Sequence, residues 1–314
     1  MINQRLKKIQ SNFNTSRAVI DALVLEKLNQ KITKIDKIIA GEANEVYSLE
    51  TAEGKYILRI AHREGNDFEK EKWAKEQVAK FDVSTPKVIN IGFLENNNSK
   101  QYSLEQFIEG IIYDIYTTDT EILTQIFENA GAVLSKIHKV KLVGFGSFDK
   151  NFKSEYLTYS QKITAEKLQN KNDYKRIALS KNLDWDTINR SFDLIKNNLT
   201  VFDNEPSVLV HGDFNHKHFI VDEKLNIKSI LDWGECRAGS PIEDFGGWQF
   251  WFGDIFDIDI LKIRYENKNY FDSDFENKLQ IYKIIKALDL IYYYDEIDDD
   301  SSFDFVMKKL KELL

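Results

Sequence analysis

Leu209-Val210-His211-Gly212-Asp213-Phe214-Asn215-His216-Lys217-His218, closed by Ile230-Leu231-Asp232-Trp233-Gly234, decides how the rest of this sequence is read. Val208 to Val210 reads as a short buried strand that delivers His211, Gly212 and Asp213 to a loop. Phe219 to Val221 reads as a second strand, Asp222 to Asn226 as a polar turn, and Ile227 to Leu231 as a returning strand. With the turn centred on Leu225, His218 and Asp232 lie seven residues away on either side. Residues directly across an antiparallel pair are about 4.5–5.5 Å apart at Cα. The hairpin therefore predicts His218 beside Asp232, with Asp213 just upstream on the same rim. One carboxylate is then free to act as a base while a second carboxylate and a neighbour hold a metal. That suits phosphoryl transfer, whose catalysis is mostly positioning and charge neutralisation.

Size and composition bound the remaining possibilities. At 314 residues, with 42% hydrophobic and 30% charged residues, the chain is an ordinary globular sequence, long enough for one large domain or two lobes. Its formal net charge of -8 argues against nucleic acid as the main partner and is compatible with a cationic small-molecule ligand. Cys236 is the one cysteine, which excludes an internal disulfide framework and fits a reducing compartment. The N-terminus has no apolar signal core and no run of 18 apolar residues occurs, so the expectation is a cytoplasmic protein without a membrane anchor. A glycine-rich P-loop is absent, as is any zinc-ligand spacing.

Taken from the start, residues 1–30 read as a covering helix, with Val19, Ile20, Leu23, Val24 and Leu28 at helical spacing. Ile38 to Leu49, a turn at Ala52-Glu53-Gly54, and Lys55 to Ile60 read as a hairpin whose first strand is interrupted by a small polar loop. Backbone amides of such a loop can cover phosphates, but with Gly41 as its single glycine it reads first as an ordinary loop. Arg59 is a cation inside an apolar strand. It either snorkels from an edge strand or reaches phosphate oxygens. Asn66 can cap a helix over 67–81, with Glu69 at the capping-box position and Trp73, Val78 and Phe81 facing inward. Glu71 on its first turns can pair with Arg59, or it belongs to a solvated face of alternating charge.

Pro86 to Ile91 and Gln101 to Ile108 read as two further strands around a polar turn at Glu95 to Lys100. Ser103 to Gly110 closes the sheet-rich part, so the lobe boundary is expected near residue 108: 1–108 and 109–314. Glu105 and Phe107 lie in this connection, whose backbone suits an adenine or guanine edge. Asp119 to Lys139 is a strongly periodic core helix, and His138 at its end reads as a satisfied C-terminal histidine. Gly144-Phe145-Gly146 follows a helix rather than a strand and is rejected as a nucleotide loop. Residues 156–202 read as helical and polar, one wall of an acceptor cleft.

Asp244-Phe245-Gly246 is spelled like a protein-kinase metal motif. It follows the loop Gly239-Ser240-Pro241, whereas Asp232 follows the apolar strand of a hairpin. Asp232 is therefore read as the metal ligand, and Asp244 as an acceptor of backbone donors near the catalytic loop. His216 is read as exposed and Cys236 as a small buried side chain.

His211-Gly212-Asp213, a ligand position five residues on at His218, Asp232, and Pro241-Ile242-Glu243-Asp244 together resemble the aminoglycoside phosphotransferase family. The likeness extends through Tyr56 to Ile60, Phe68 to Gln77, Pro86 to Gly92, Gly144 to Phe148 and Asp232 to Glu235, most of residues 40–250. In these segments it looks most like the hygromycin B-phosphorylating members. The resemblance implies an α+β, bilobal, protein-kinase-like fold, with an N-terminal antiparallel sheet lobe and a larger, mainly helical C-terminal lobe. It implies transfer of the γ-phosphate of ATP or GTP, with Mg²⁺, to a hydroxyl. Residue by residue it implies Asp213 as catalytic base, His218 and Asp232 at the Mg²⁺, and Arg59 on the α/β-phosphates, oriented by Glu71. Most members have asparagine where this chain has His218, and magnesium prefers oxygen to imidazole. Arg59 stands where kinases usually have lysine.

The expected acceptor is a polycationic aminocyclitol antibiotic. Asp254, Asp257, Asp259 and the run Asp295-Glu296-Ile297-Asp298-Asp299-Asp300 can pair with its ammonium groups or form a solvated face. Two other readings are a kinase of another small hydroxyl compound, such as a macrolide or metabolite, and a kinase-like binding module without turnover.

Overall fold

In Asn44–Thr51, alternate side chains are buried: Glu45, Tyr47 and Leu49 point inward while their neighbours are partly exposed. That period of two is the signature of a strand covered on one face. The computed structural model describes residues 4–39, 41–62, 67–94, 97–149 and 151–314. In chain order their first elements are α1 (Gln4–Ser11), α2 (Arg17–Leu28), β1 (Ile32–Ile38), β2 (Asn44–Thr51), β3 (Lys55–Ala61), α3 (Phe68–Ala79), β4 (Val88–Leu94) and β5 (Asn97–Gln106). The five strands form one antiparallel sheet in the order β1-β2-β3-β5-β4.

β3 is therefore central, which excludes the edge-strand reading of Arg59. Leu58 and Ile60 on one face of β3 join Ile20, Leu23 and Val24 of α2, together with Tyr47, Leu49, Leu94, Tyr102 and Leu104, in one hydrophobic core. By alternation Arg59 projects from the opposite face. The expected covering helix is two helices, and the linker between them is tied down where Thr15 donates through its N–H and hydroxyl to Glu45. The α3 cap is Asp67, which accepts from the N–H groups of Glu69 and Lys70. Asn66, expected as that cap, lies outside the described residues, as do Ala40 of the polar loop and Glu95 and Asn96 of the expected turn. The inward stripe of α3 is Phe68, Glu71, Ala74, Lys75 and Val78. Trp73 and Phe81, expected inside, are partly exposed, because two buried charges take the core-facing positions.

The later elements are α4 (Thr120–Ile137), β6 (Phe145–Phe148), β7 (Ser154–Tyr156), α5 (Tyr159–Glu166), α6 (Lys171–Ser180), α7 (Trp185–Asn197), β8 (Val208–Val210), β9 (Phe219–Val221), β10 (Ile227–Ile230), β11 (Arg237–Gly239), α8 (Ile242–Phe252), α9 (Asp259–Arg264), α10 (Phe275–Glu296) and α11 (Asp300–Leu313). Contacts divide the chain into two units. The first holds residues 1–112, 219–224 and 228–234; the second holds 113–218, 225–227 and 235–314. The division thus follows Ile112 rather than residue 108, and most of the β9–β10 hairpin goes with the first unit. The reason is a bridge in which Ile111 and Val221 exchange both backbone hydrogen bonds, at 2.9 and 2.8 Å. In the second unit β7-β6-β11-β8 form a small sheet, and the rest of its framework is helical. Among the described residues, no helix is long and apolar enough to cross a membrane.

Candidate active site

The residues singled out from sequence divide between the two units: Arg59, Glu71, Glu105, Phe107 and Asp232 in the first, Asp213 and His218 in the second. In the first unit, Arg59 Nη1 and Nη2 bind the two Glu71 oxygens at 2.5 and 3.0 Å, a bidentate pair buried beneath the sheet. This excludes the solvated-face reading of Glu71. Glu105 Oε1 lies 3.5 Å from Nη1, Asp232 Oδ1 lies 3.7 Å from Nη2, and the guanidinium carbon sits 4.9 Å from the Phe68 ring centroid. Burial works against the Arg59 charge, but Glu71, Glu105 and Asp232 outweigh it and push the guanidinium above its ordinary range.

Glu105 reaches this cluster from within β5, where its backbone is registered against Ile57 on one side and Val88 on the other. Its side chain also accepts from Lys75 Nζ at 2.8 Å and from Ser103 Oγ at 2.9 Å. Burial pushes its carboxyl up, and Lys75 and Arg59 bring it below the usual range. Glu105 thus sits in the interior of the sheet. Phe107, next along the connection, gives its N–H to the Lys55 carbonyl at 3.2 Å, and Lys55 Nζ lies 5.8 Å from its ring centroid.

Asp232 adopts a left-handed backbone, φ 58°, a conformation aspartate tolerates, and its side chain is half exposed. Trp233 beside it is fully buried, its Nε1 donating to the Ile230 carbonyl at 3.2 Å, and Lys70 Nζ donates to the Gly234 carbonyl at 2.6 Å. Two anchors thus hold this loop, neither of them apparent in the sequence. The paired strands stop at Phe219 and Ile230, so the register argument that set His218 opposite Asp232 does not reach either residue. His218 ends a 3₁₀ turn over His216–His218, with its N–H bonded to the Asn215 carbonyl, and Asp232 turns out of the strand through its positive φ.

In the second unit, β8 ends at Val210 and the next backbone groups are gathered by a buried side chain. The N–H groups of His211 and Gly212 donate to the two Asp244 oxygens at 2.9 and 2.8 Å. His138 Nε2 lies 3.0 Å from Asp244 Oδ2, and its Nδ1 lies 3.0 Å from the Tyr265 hydroxyl. Asp244 is thus a backbone organiser, and His138 its satisfied partner. Burial pushes the Asp244 carboxyl up, and His138 and His211 hold it below its ordinary value. Gly212 has φ 81°, and a Cβ there would lie 2.3 Å from the Glu235 carbonyl, so only glycine fits.

Asp213 emerges from this braced loop with its side chain half exposed. Asn215 Nδ2 donates to Oδ1 at 2.9 Å, and His218 Nε2 stands 3.0 Å from Oδ2. Burial raises its carboxyl, but His218, His211 and Lys286 hold it well below the usual carboxylate range. His216, expected in solvent, is buried instead, packed edge-on against Phe252 at 5.0 Å. Burial pushes its pKa down to about 4. Cys236 is buried.

The acidic residues expected to meet a cationic ligand are partly taken by the chain's own cations. Asp298 and Asp300 pair with Lys181, Asp295 with Arg176, and Asp254 with Lys309. This neutralisation joins α6 to the start of α11, a contact no local pattern announces. Lys75, Lys70 and Asn215 were also missed. The only trace of the first is that it lies four residues after Glu71, on the same helix face.

A family model described as "APH: Phosphotransferase enzyme family" matches residues 34–271. The chain belongs to this family. Among solved structures, this family member is similar to a thermostable mutant of aminoglycoside phosphotransferase APH(4)-Ia in its apo form, with TM-score 0.73 and 19% identity, covering 93% of this chain and 97% of that one. A thermostable mutant of APH(4)-Ia in a ternary complex with AMP-PNP and hygromycin B gives TM-score 0.71 and 18% identity, covering 94% and 97%. The gentamicin–APH(2")-IIa complex gives 0.65 and 16%, covering 95% and 96%. These likenesses establish the fold, an α+β arrangement with an antiparallel sheet and a helical region. The uncharacterized protein YcbJ of Bacillus subtilis (strain 168) is 35% identical over 48 residues, 15% of this chain and 16% of that protein. The family makes the chain a phosphotransferase enzyme.

Proposed function

We propose that this phosphotransferase is a small-molecule kinase that transfers the γ-phosphate of ATP or GTP to a hydroxyl of an aminoglycoside or aminocyclitol. The observation carrying the reading is Asp213: an ionised, half-exposed carboxylate on a loop whose backbone is fixed by Asp244. Phosphoryl transfer asks the protein mainly to position the hydroxyl and take up charge. Asp213 accepts the hydroxyl proton as oxygen attacks phosphorus and the bond to the nucleoside diphosphate breaks. Asn215 and His218 hold the carboxylate oxygens in place for this. His218 therefore serves here as an orienting group for Asp213 rather than as a metal ligand.

On the nucleotide side, Arg59 neutralises phosphate oxygens and Glu71 sets its orientation. The half-exposed Asp232 carboxylate, an oxygen donor, fits a magnesium ion that keeps most of its other positions for water and phosphate. Such an ion supplies neutralisation of the phosphate charge. Among the described residues no group of three or more His, Cys, Asp or Glu side chains is arranged to hold a metal. AMP-PNP and hygromycin B in the APH(4)-Ia complex support the choice of nucleotide and acceptor class.

The pairing of Asp254, Asp295, Asp298 and Asp300 with lysines and an arginine favours a second reading of the acceptor, a less cationic hydroxyl compound such as a macrolide or metabolite. Incubation with ATP or GTP and Mg²⁺ against a panel of aminoglycosides, macrolides and polyols decides it, read by mass. A product 80 Da heavier, roughly the mass of one added phosphoryl group, with an aminoglycoside supports the first reading. Such a product only with another acceptor supports the second. No product with any acceptor refutes the kinase reading.

A further inference from the structure

Lys75 and Glu105 form an ion pair that the phosphotransfer reading does not by itself require. Both side chains are only 5% exposed, and their 2.8 Å contact shares Glu105 with Arg59, whose Nη1 lies 3.5 Å from the same carboxylate. Placing two charges there costs desolvation that a pair of apolar residues would avoid, so the pair calls for an explanation beyond stability. The charges in this pocket alternate. Arg59 is gripped by both oxygens of Glu71, while Glu105 touches only Nη1, at 3.5 Å, through the same Oε1 that accepts from Ser103. The other oxygen of Glu105, Oε2, belongs to Lys75. Lys75 stands four residues beyond Glu71, so one helix face supplies both the carboxylate that holds Arg59 and the cation that restrains its competitor.

We infer that Lys75 is a positioning residue for the nucleotide: by occupying Glu105 it keeps Arg59 on Glu71, with its charge available to phosphate. With Lys75 gone, Arg59 is the one remaining cation of Glu105 among the described residues. Two buried carboxylates then share a single guanidinium, which is drawn toward β5 and has its positive charge cancelled. Removing the charge of Glu105 as well returns the interior to one cation and one buried carboxylate, the Arg59–Glu71 pair, with the half-exposed Asp232 still 3.7 Å from Nη2. The inference rests on the assignment of Arg59 to nucleotide phosphates.

The test is titration with AMP-PNP and Mg²⁺ by calorimetry, alongside steady-state kinetics, for the wild-type chain and three variants: Lys75→Met, Glu105→Gln and the double variant K75M/E105Q. Lys75→Met is expected to weaken AMP-PNP binding by about tenfold or more and to raise KM for the nucleotide more than it lowers kcat. The double variant is expected to recover most of that loss, and a rise in KM without a matching fall in kcat is what a merely structural role for Lys75 would not produce. Glu105→Gln alone is expected to bind at least as tightly as wild type. Wild-type affinity in Lys75→Met, or a double variant as weak as that single variant, overturns the inference. If Lys75→Met fails to fold, weakening of about tenfold in both remaining variants overturns it, and wild-type affinity in both sustains it. Absence of AMP-PNP binding by the wild-type protein would instead sink the nucleotide reading itself.

Discussion

Asp244 offers the sharpest test of how the catalytic loop is held. Its carboxylate is fully buried and takes three donors: the His211 N–H at 2.9 Å, the Gly212 N–H at 2.8 Å and His138 Nε2 at 3.0 Å. Asp244→Ala strands two backbone donors and a ring nitrogen in the interior, and each unsatisfied group costs about 1–3 kcal/mol. Partial relaxation and water entry bring the total to about 3–5 kcal/mol, the range for breaking a buried pair. Asp244→Asn keeps the shape and one acceptor, but turns an amide NH₂ toward a donor. It is expected to cost about 2–4 kcal/mol, less than Ala by the one neutral hydrogen bond it keeps. Urea denaturation gives the free energies, and hydrogen exchange at the His211 and Gly212 amides locates the change. Both amides should exchange faster in either variant. A loss under about 1 kcal/mol in Asp244→Ala, with exchange at those amides unchanged, refutes the claim that Asp244 organises the loop.

Asp213→Asn should lower kcat by about 10²–10⁴ while AMP-PNP affinity survives, measured by steady-state kinetics and calorimetry. A loss below about tenfold removes Asp213 from the base role. Glu45 is a buried carboxylate whose burial pushes it up, while bonds from Tyr47, Thr15 and His62 bring its pKa down to about 2. Its folded pKa is depressed, so the stability it contributes is present above its unfolded value, near 4.3, and is lost as pH falls toward 2. Glu45→Gln should cost about 2 kcal/mol at pH 7 after allowing for screening, with the gap to wild type closing in urea denaturation series run down to pH 3. Gly131→Ala should destabilise by about 1–3 kcal/mol in thermal denaturation. Its Cβ would meet the Leu261 carbonyl at 2.0 Å, where α4 packs on α9.

What the sequence by itself determined is what short-range chemistry encodes. The turn at Ala52-Glu53-Gly54 marks the β2–β3 hairpin, the period of Leu123, Ile126, Phe127, Ala130 and Leu134 marks α4, and both follow from backbone geometry. The short strand before His211-Gly212-Asp213 and the reading of Asp244 as an acceptor of backbone donors were legible for the same reason. A strand–turn context needs only neighbours, and the Asp244 oxygens do take the backbone donors that context suggested. The tertiary structure alone decided where each charge finds its counter-charge. Glu71 and Lys75 look like members of a mixed-charge helix face until β3 and β5 bring Arg59 and Glu105 beneath them. His216 looks solvent-exposed until Phe252, 36 residues on, covers it. The acidic run near residue 298 looks free for a ligand until Lys181, more than a hundred residues earlier, closes on it. Burial and Coulomb energy depend on distance in space, and distance along the chain carries almost none of that information.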